Sequence, residues 1–176
     1  MKSNGFAAMA ALVAAWLVAG PPAARAQVAG IDALAIVVHR SNPITALTRT
    51  ELRRIFMLET QTWPHGRKIT VVLREKGQSE RAEAIRLICG LSEPDFEQHI
   101  LFQTFRGTVN RAPRSIQSAN AMVRFIFNTP GAIGYVRADE VDEAVKVLQI
   151  DGRLPGDARY PLRRAASIGK VSWQAW

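Results

Sequence analysis

Apolar positions along this chain follow two rhythms. "ALAIVVH", Ala33 to His39, is a continuous apolar run rich in β-branched residues and predicts a buried strand. "RSNPITAL" after it is broken by Asn42-Pro43 and predicts a loop. Thr48 with Glu51 three residues on makes a capping box. Behind it Leu52, Ile55 and Phe56 recur at helical spacing, predicting a helix that ends near Leu58. Arg49, Arg53 and Arg54 lie mostly off that face and are expected on a solvated surface.

The alternation continues downstream. "ETQTWPHGRK" is a turn-rich connection, and "ITVVLRE" predicts a second strand. Ser79 is a plausible N-cap for a helix with Ile85, Ile88 and Cys89 inward and Gly90 as its stop. "LSEPDFEQHILFQTF" predicts another helix, with Ser92 and Asp95 at capping spacing and Phe96, Ile100 and Leu101 inward. "RGTVNRAPRSIQS", Arg106 to Ser118, predicts a basic loop. "ANAMVRFIFNT" is apolar nearly all round and predicts a well-buried helix. "AIGYV" and "VKVLQID" predict two further strands. From Gly152 the chain is rich in Pro, Gly and Arg, which fits either an ordered return segment or a basic tail over 152–176.

Strands separated by helices predict an α/β fold with crossover connections. Ligands in such sheets sit at the carboxyl ends of strands, beside helix N-termini. "LREKGQSERAEAI" occupies such a position. Gly77 allows close backbone approach, Ser79 offers a hydroxyl, Gln78 an amide, and Arg74 sits at the strand end. A helix N-terminus with a serine and an arginine fork can hold a tetrahedral anion. The plainer reading is that Ser79 caps its helix and Arg74 pairs with Glu75 or Glu80. Asn110, Arg111, Arg114 and Ser118 form a second candidate set, against the reading of an exposed basic loop. Ser41, after the first strand, is a third candidate, where turn formation is an equal explanation. Trp63 and Tyr135 are read as core aromatics rather than ligand-stacking rings.

Charge and compartment narrow the partner class. The formal net charge is +8, which favours anionic partners. Lys2, the apolar run "FAAMAALVAAWLVAG" and "PPAARA" fit a secretory signal peptide over 1–26, cut after Ala26. The run is short for a bilayer span, with an uncleaved anchor as the other reading. Export argues against nucleic acid, and loss of Lys2 and Arg25 leaves the remainder basic. The single cysteine, Cys89, lies on an apolar stripe and is read as a buried structural thiol. The three histidines are far apart in sequence, so neither a metal site nor a cofactor is expected. No nucleophile–base pair stands at a diagnostic spacing, so no enzymatic role is expected.

Four phrases together resemble one family. "LTRTELRRIFML" followed by "TWPHG" is similar to the "L-T-x-x-E-L-x-x-I-F-x-G-K-x-x-x-W-x-D-G" run of phosphate-type periplasmic substrate-binding proteins. "TPGAIGYV" resembles their "T-P-G-A-I-G-Y-V", and "RYPL" their "Y-P-L" return segment. "VVLREKGQSERAEAI" stands where they carry "R-x-D-G-S-G-T" before a helix. Arg74 and Gly77 match that loop; Lys76 stands at its acidic position, and Gln78, Ser79 and Glu80 stand for its Ser-Gly-Thr. Full-length members have two lobes and roughly twice this length, so the short single-lobe relatives fit better.

The resemblance implies one periplasmic-binding-protein-like (type II) lobe over 27–151, a mixed sheet flanked by helices. It implies solute binding of phosphate or a related oxyanion outside the cytoplasm, with delivery to an ABC transporter permease. A single lobe leaves its ligand half exposed, so a homodimer or another envelope protein would have to supply the second wall. The alternative is a single-lobe interaction or sensory module of the envelope, docking through its basic loops.

Overall fold

The computed structural model describes residues 32–109 and 112–163. The expected signal segment, Asn110, Arg111 and the tail beyond Arg163 lie outside the described residues. Among the described residues seven strands and four α-helices follow in chain order: β1 (Leu34–His39), β2 (Ala46–Leu47), α1 (Arg49–Phe56), β3 (Thr70–Arg74), α2 (Ser79–Ala84), α3 (Glu93–Phe105), β4 (Arg114–Ile116), α4 (Ala119–Asn128), β5 (Ala132–Arg137), β6 (Val145–Val147) and β7 (Gln149–Ile150). A π-helical turn, Ile85–Cys89, prolongs α2.

The main sheet has the order β4-β3-β5-β1-β6. β3 runs parallel to β4 and β5, whereas β1 is antiparallel to β5 and β6. The α/β class and the mixed sheet with flanking helices are therefore as the sequence predicts. β1 is buried along nearly its whole length because it is central and covered on both faces. One face packs Ile36, Val38, Leu73 and Tyr135 against α1, α2 and Phe96 of α3. The other packs Ala35, Val37, Val72 and Val136 against Met122 and Ile126 of α4. Gly134 makes that second contact possible: a Cβ there would meet Met122 Sδ at 2.9 Å.

Local signals account for most boundaries. Thr48 accepts from the Glu51 N–H, and the Glu51 carboxylate accepts from the Thr48 N–H at 2.8 Å, closing the capping box. α1 ends two residues before Leu58, which adopts φ +61°. The resembling motif has glycine at that position. A buried leucine is held in the left-handed region here, at a cost of roughly 1 kcal/mol. Gly90 takes φ +71° at the end of the π turn, as its role as a stop requires.

Several expectations are corrected. Arg49, Arg53 and Arg54 are exposed, as expected, but two of them also bind backbone: Arg49 Nη2 donates to Leu87 O at 3.3 Å and Arg53 Nε to Cys89 O at 3.0 Å. They satisfy carbonyls at the end of the π turn that have no partner within the helix. Ser79 is not the cap; Gln78 holds that position without a side-chain bond. Leu101 does not point inward but is 55 % exposed. The predicted basic loop contains β4, whose brevity and arginine content hide it from periodicity. "VKVLQID" is split into β6 and β7, the latter pairing in parallel with β2. α4 is buried on one face only, with Phe127 exposed.

After β7 the chain returns to the sheet. Tyr160 and Leu162 are buried, and the Leu34 N–H donates to Leu162 O at 2.9 Å. Truncation at this contact is therefore expected to be felt across the core. Leu162→Ala should lower the unfolding free energy by about 2–5 kcal/mol in chemical denaturation. Leu154→Ala, at an exposed position, should change it by no more than about 0.5 kcal/mol.

Candidate functional site

The carboxyl ends of β3 and β4 bring two helix N-termini together. Arg74 is level with Ile116 in the β3–β4 register, and the Glu75 N–H donates to Ile116 O at 3.1 Å. α2 starts beside one face of the sheet. α4 starts on the other, three residues beyond β4, with Ser118 as its cap accepting from the Ala121 N–H at 3.1 Å. Strand alternation sends the Arg74 side chain to the α4 side, the side of Val72 and Ile116.

The Arg74 guanidinium is the most unusual group at this end. Its Nε and Nη1 atoms are buried and have no hydrogen-bond partner among the described residues. A buried, charged donor without an acceptor is costly. Its backbone is well held: the N–H donates to the Tyr135 hydroxyl at 3.1 Å, and the carbonyl accepts from Arg81 Nη1 at 2.8 Å. Burial pushes the Tyr135 phenol up to about 12, so it stays protonated and retains a proton to donate.

Arg81 anchors the loop from below. It is only 4 % exposed, and it donates from Nε to Glu93 at 2.5 Å and from Nη2 to Glu97 at 3.4 Å. Lys76 reaches the same Glu97 at 2.8 Å. The Lys76 hydrogen bond is the main reason that Glu97 is held below the ordinary carboxylate range. The lysine at the motif's acidic position is thus matched by a carboxylate on α3.

The other candidates separate. Gly77 takes φ +82°, a backbone state that favours glycine. The Ser79 hydroxyl lies on the Glu80 carboxylate at 3.3 Å. Arg114 stacks over the Phe125 ring of α4 at 5.5 Å. Ser41 is not at this end at all: β1 runs antiparallel to β5, so its carboxyl end is at the opposite edge of the core. There Ser41 Oγ is 2.8 Å from His39 Nδ1. Trp63 and Tyr135 are core residues, as expected, and Trp63 Nε1 donates to Gly131 O at 3.2 Å. Cys89 is buried, and burial raises its thiol to about 12.

A groove of about 600 Å³ lies beside the loop, between β4 and α3, lined by Leu73, Lys76, Phe96, Leu101 and Pro113 among others. It lies on the Leu73 and Phe96 face of the sheet, whereas strand alternation sends the Arg74 side chain to the α4 face. Among the described residues no helix is long and apolar enough to cross a membrane.

A family profile described as "PBP superfamily domain" matches residues 9–162. The chain belongs to the PBP superfamily. It is 29 % identical over 143 residues to the phosphate-binding protein PstS of Bacillus subtilis, covering 72 % of this chain and 42 % of that one. An ABC-type phosphate transport receptor from Vibrio cholerae superposes with a TM-score of 0.58 at 27 % identity, over 71 % of this chain and 48 % of that one. PstS from Borrelia burgdorferi gives 0.57 at 17 % identity over 70 % and 49 %, a likeness of fold alone. This PBP-superfamily chain therefore spans about half the length of the relatives that it matches. The resemblance noted from the four phrases is to this family.

Sequence reasoning passed over Arg81, Glu93 and Glu97. A signal existed: Arg81 stands on the same stripe as Ala84, Ile85 and Ile88, and a charge on an apolar stripe implies buried acceptors. The network has a measurable consequence. Because its pKa is depressed, Glu97 contributes stability above the ordinary glutamate value of about 4.3, and the contribution is lost as pH falls through its own lower pKa. Carbon-detected NMR should find Glu97 titrating below that value, and Lys76→Ala should move it upward.

Proposed function

We propose that this PBP-superfamily lobe binds phosphate or a related oxyanion at the carboxyl end of β3, without any chemical step. The observation that carries the reading is the half-buried Arg74 side chain, whose Nε and Nη1 atoms are buried without a partner among the described residues. An oxyanion supplies acceptors to the guanidinium and offsets its charge. The names of the phosphate-binding relatives agree with such a ligand. Arg74 is the directed donor. The N–H groups of the Gly77–Glu80 turn and of the first turn of α4, behind Ser118, face the same end of the sheet and add positive potential. The Ser79 hydroxyl joins only by turning away from Glu80.

The remaining roles follow from the same reading. The chain is exported through the 1–26 signal and works in the periplasm. It passes its ligand to an ABC transporter permease. Binding by one lobe leaves the anion partly in water, so affinity is modest unless a second wall closes over it.

Titration calorimetry at low salt tests this, with sulfate as the control. Saturable heat with phosphate is expected, and Arg74→Ala should weaken binding tenfold or more. Glu80→Gln should strengthen it by about fivefold, because a carboxylate in the cradle repels the ligand by about 1 kcal/mol at near-aqueous screening. An absence of heat and of thermal shift at millimolar phosphate would sink the reading.

A further inference from the structure

α3 carries an apolar face that the described residues do not cover. Leu101, Phe102 and Phe105 are 55 %, 59 % and 81 % exposed, on one stripe of a single helix. Exposed apolar patches of this kind mark contact surfaces. The stripe is bounded by opposite charges. Asp95 stands in the first turn, and Arg106 caps the last; both are exposed.

We propose that α3 packs against the α3 of a second copy of this chain, antiparallel, across a two-fold axis near Leu101. A two-fold contact requires a surface complementary to itself, in which residue i meets j and j meets i. This helix has that property. Reversal about Leu101 brings the acidic first turn of each copy beside Arg106 of the other. The two apolar centres then face each other. Phe105 falls opposite Glu97 and Gln98, which lie on the rim of the 600 Å³ groove between α3 and β4. The most exposed large apolar side chain of one copy thus has a cavity to enter on the other, lined by Leu73, Phe96, Ile100 and Thr104.

The area sets the strength. Stable interfaces bury about 800 Å² per partner. A single helix pair with one inserted ring falls below that, so the dimer is a weak one with dissociation in the micromolar range. This contact is independent of the anion reading, and either can fail without the other.

Sedimentation velocity of the purified full chain, over a concentration series from low to several hundred micromolar, tests the proposal. The expected result is a monomer passing to a dimer. Phe105→Asp should return it to monomer, with an unchanged circular dichroism melt because the ring is exposed. Arg106→Glu alone should weaken the dimer about tenfold, and Asp95→Lys added to it should restore most of the loss. A monomer at every concentration would overturn the proposal. So would a dimer indifferent to Phe105→Asp, or a dimer abolished by removing residues 164–176, which would make the tail the occupant.

Discussion

The Arg81 guanidinium lies beneath the end of β3 and donates to three acceptors on two elements at once. It binds the Arg74 carbonyl at the strand end, Glu93 in the first turn of α3, and Glu97 one turn further on. A cation buried this deeply is tolerated only with its acceptors in place. The position of α3 relative to the sheet is therefore coupled to the position of Arg74. The loop from Glu75 to Gln78 is stretched between these fixed points, and Lys76 adds a tie to the same Glu97. The consequence is a strand end, tied at several points, that presents one guanidinium whose Nε and Nη1 have no partner among the described residues.

The sheet explains which candidates share a site. Because β3, β4 and β5 run in one direction, the loops after β3 and β4 meet, and α2 and α4 begin on opposite faces of the same end. Because β1 runs the other way, its following loop is carried to the far edge. One strand direction thus groups Arg74 with Ser118 and removes Ser41. Direction is a long-range property, and nothing in "ALAIVVH" encodes it.

What the chain revealed by itself follows the same division. Elements defined by local chemistry were legible: the Thr48–Glu51 capping box, the Gly90 stop, and the continuous apolar runs of β1 and β5. The mixed sheet came from the family resemblance. β4 was not legible, because three residues beginning with arginine carry no strand rhythm. Ser79 looked like a cap because residue type alone cannot separate the cap from the first helical position. Leu101 looked inward because α3 is apolar on more than one face, so periodicity could not choose a side. Arg74 was found by its place at a strand end, whereas its unpartnered state depends on packing that only three dimensions supply.

The central claim is that the Arg74 fork waits for an oxyanion. The most direct measurement is NMR of the arginine Nε–H groups, with Arg74 assigned by mutation, during addition of phosphate. The account predicts a saturable downfield shift of the Arg74 Nε–H and slower exchange with water, with chloride at matched ionic strength producing neither. An Arg74 resonance that ignores phosphate while other arginines respond would contradict it.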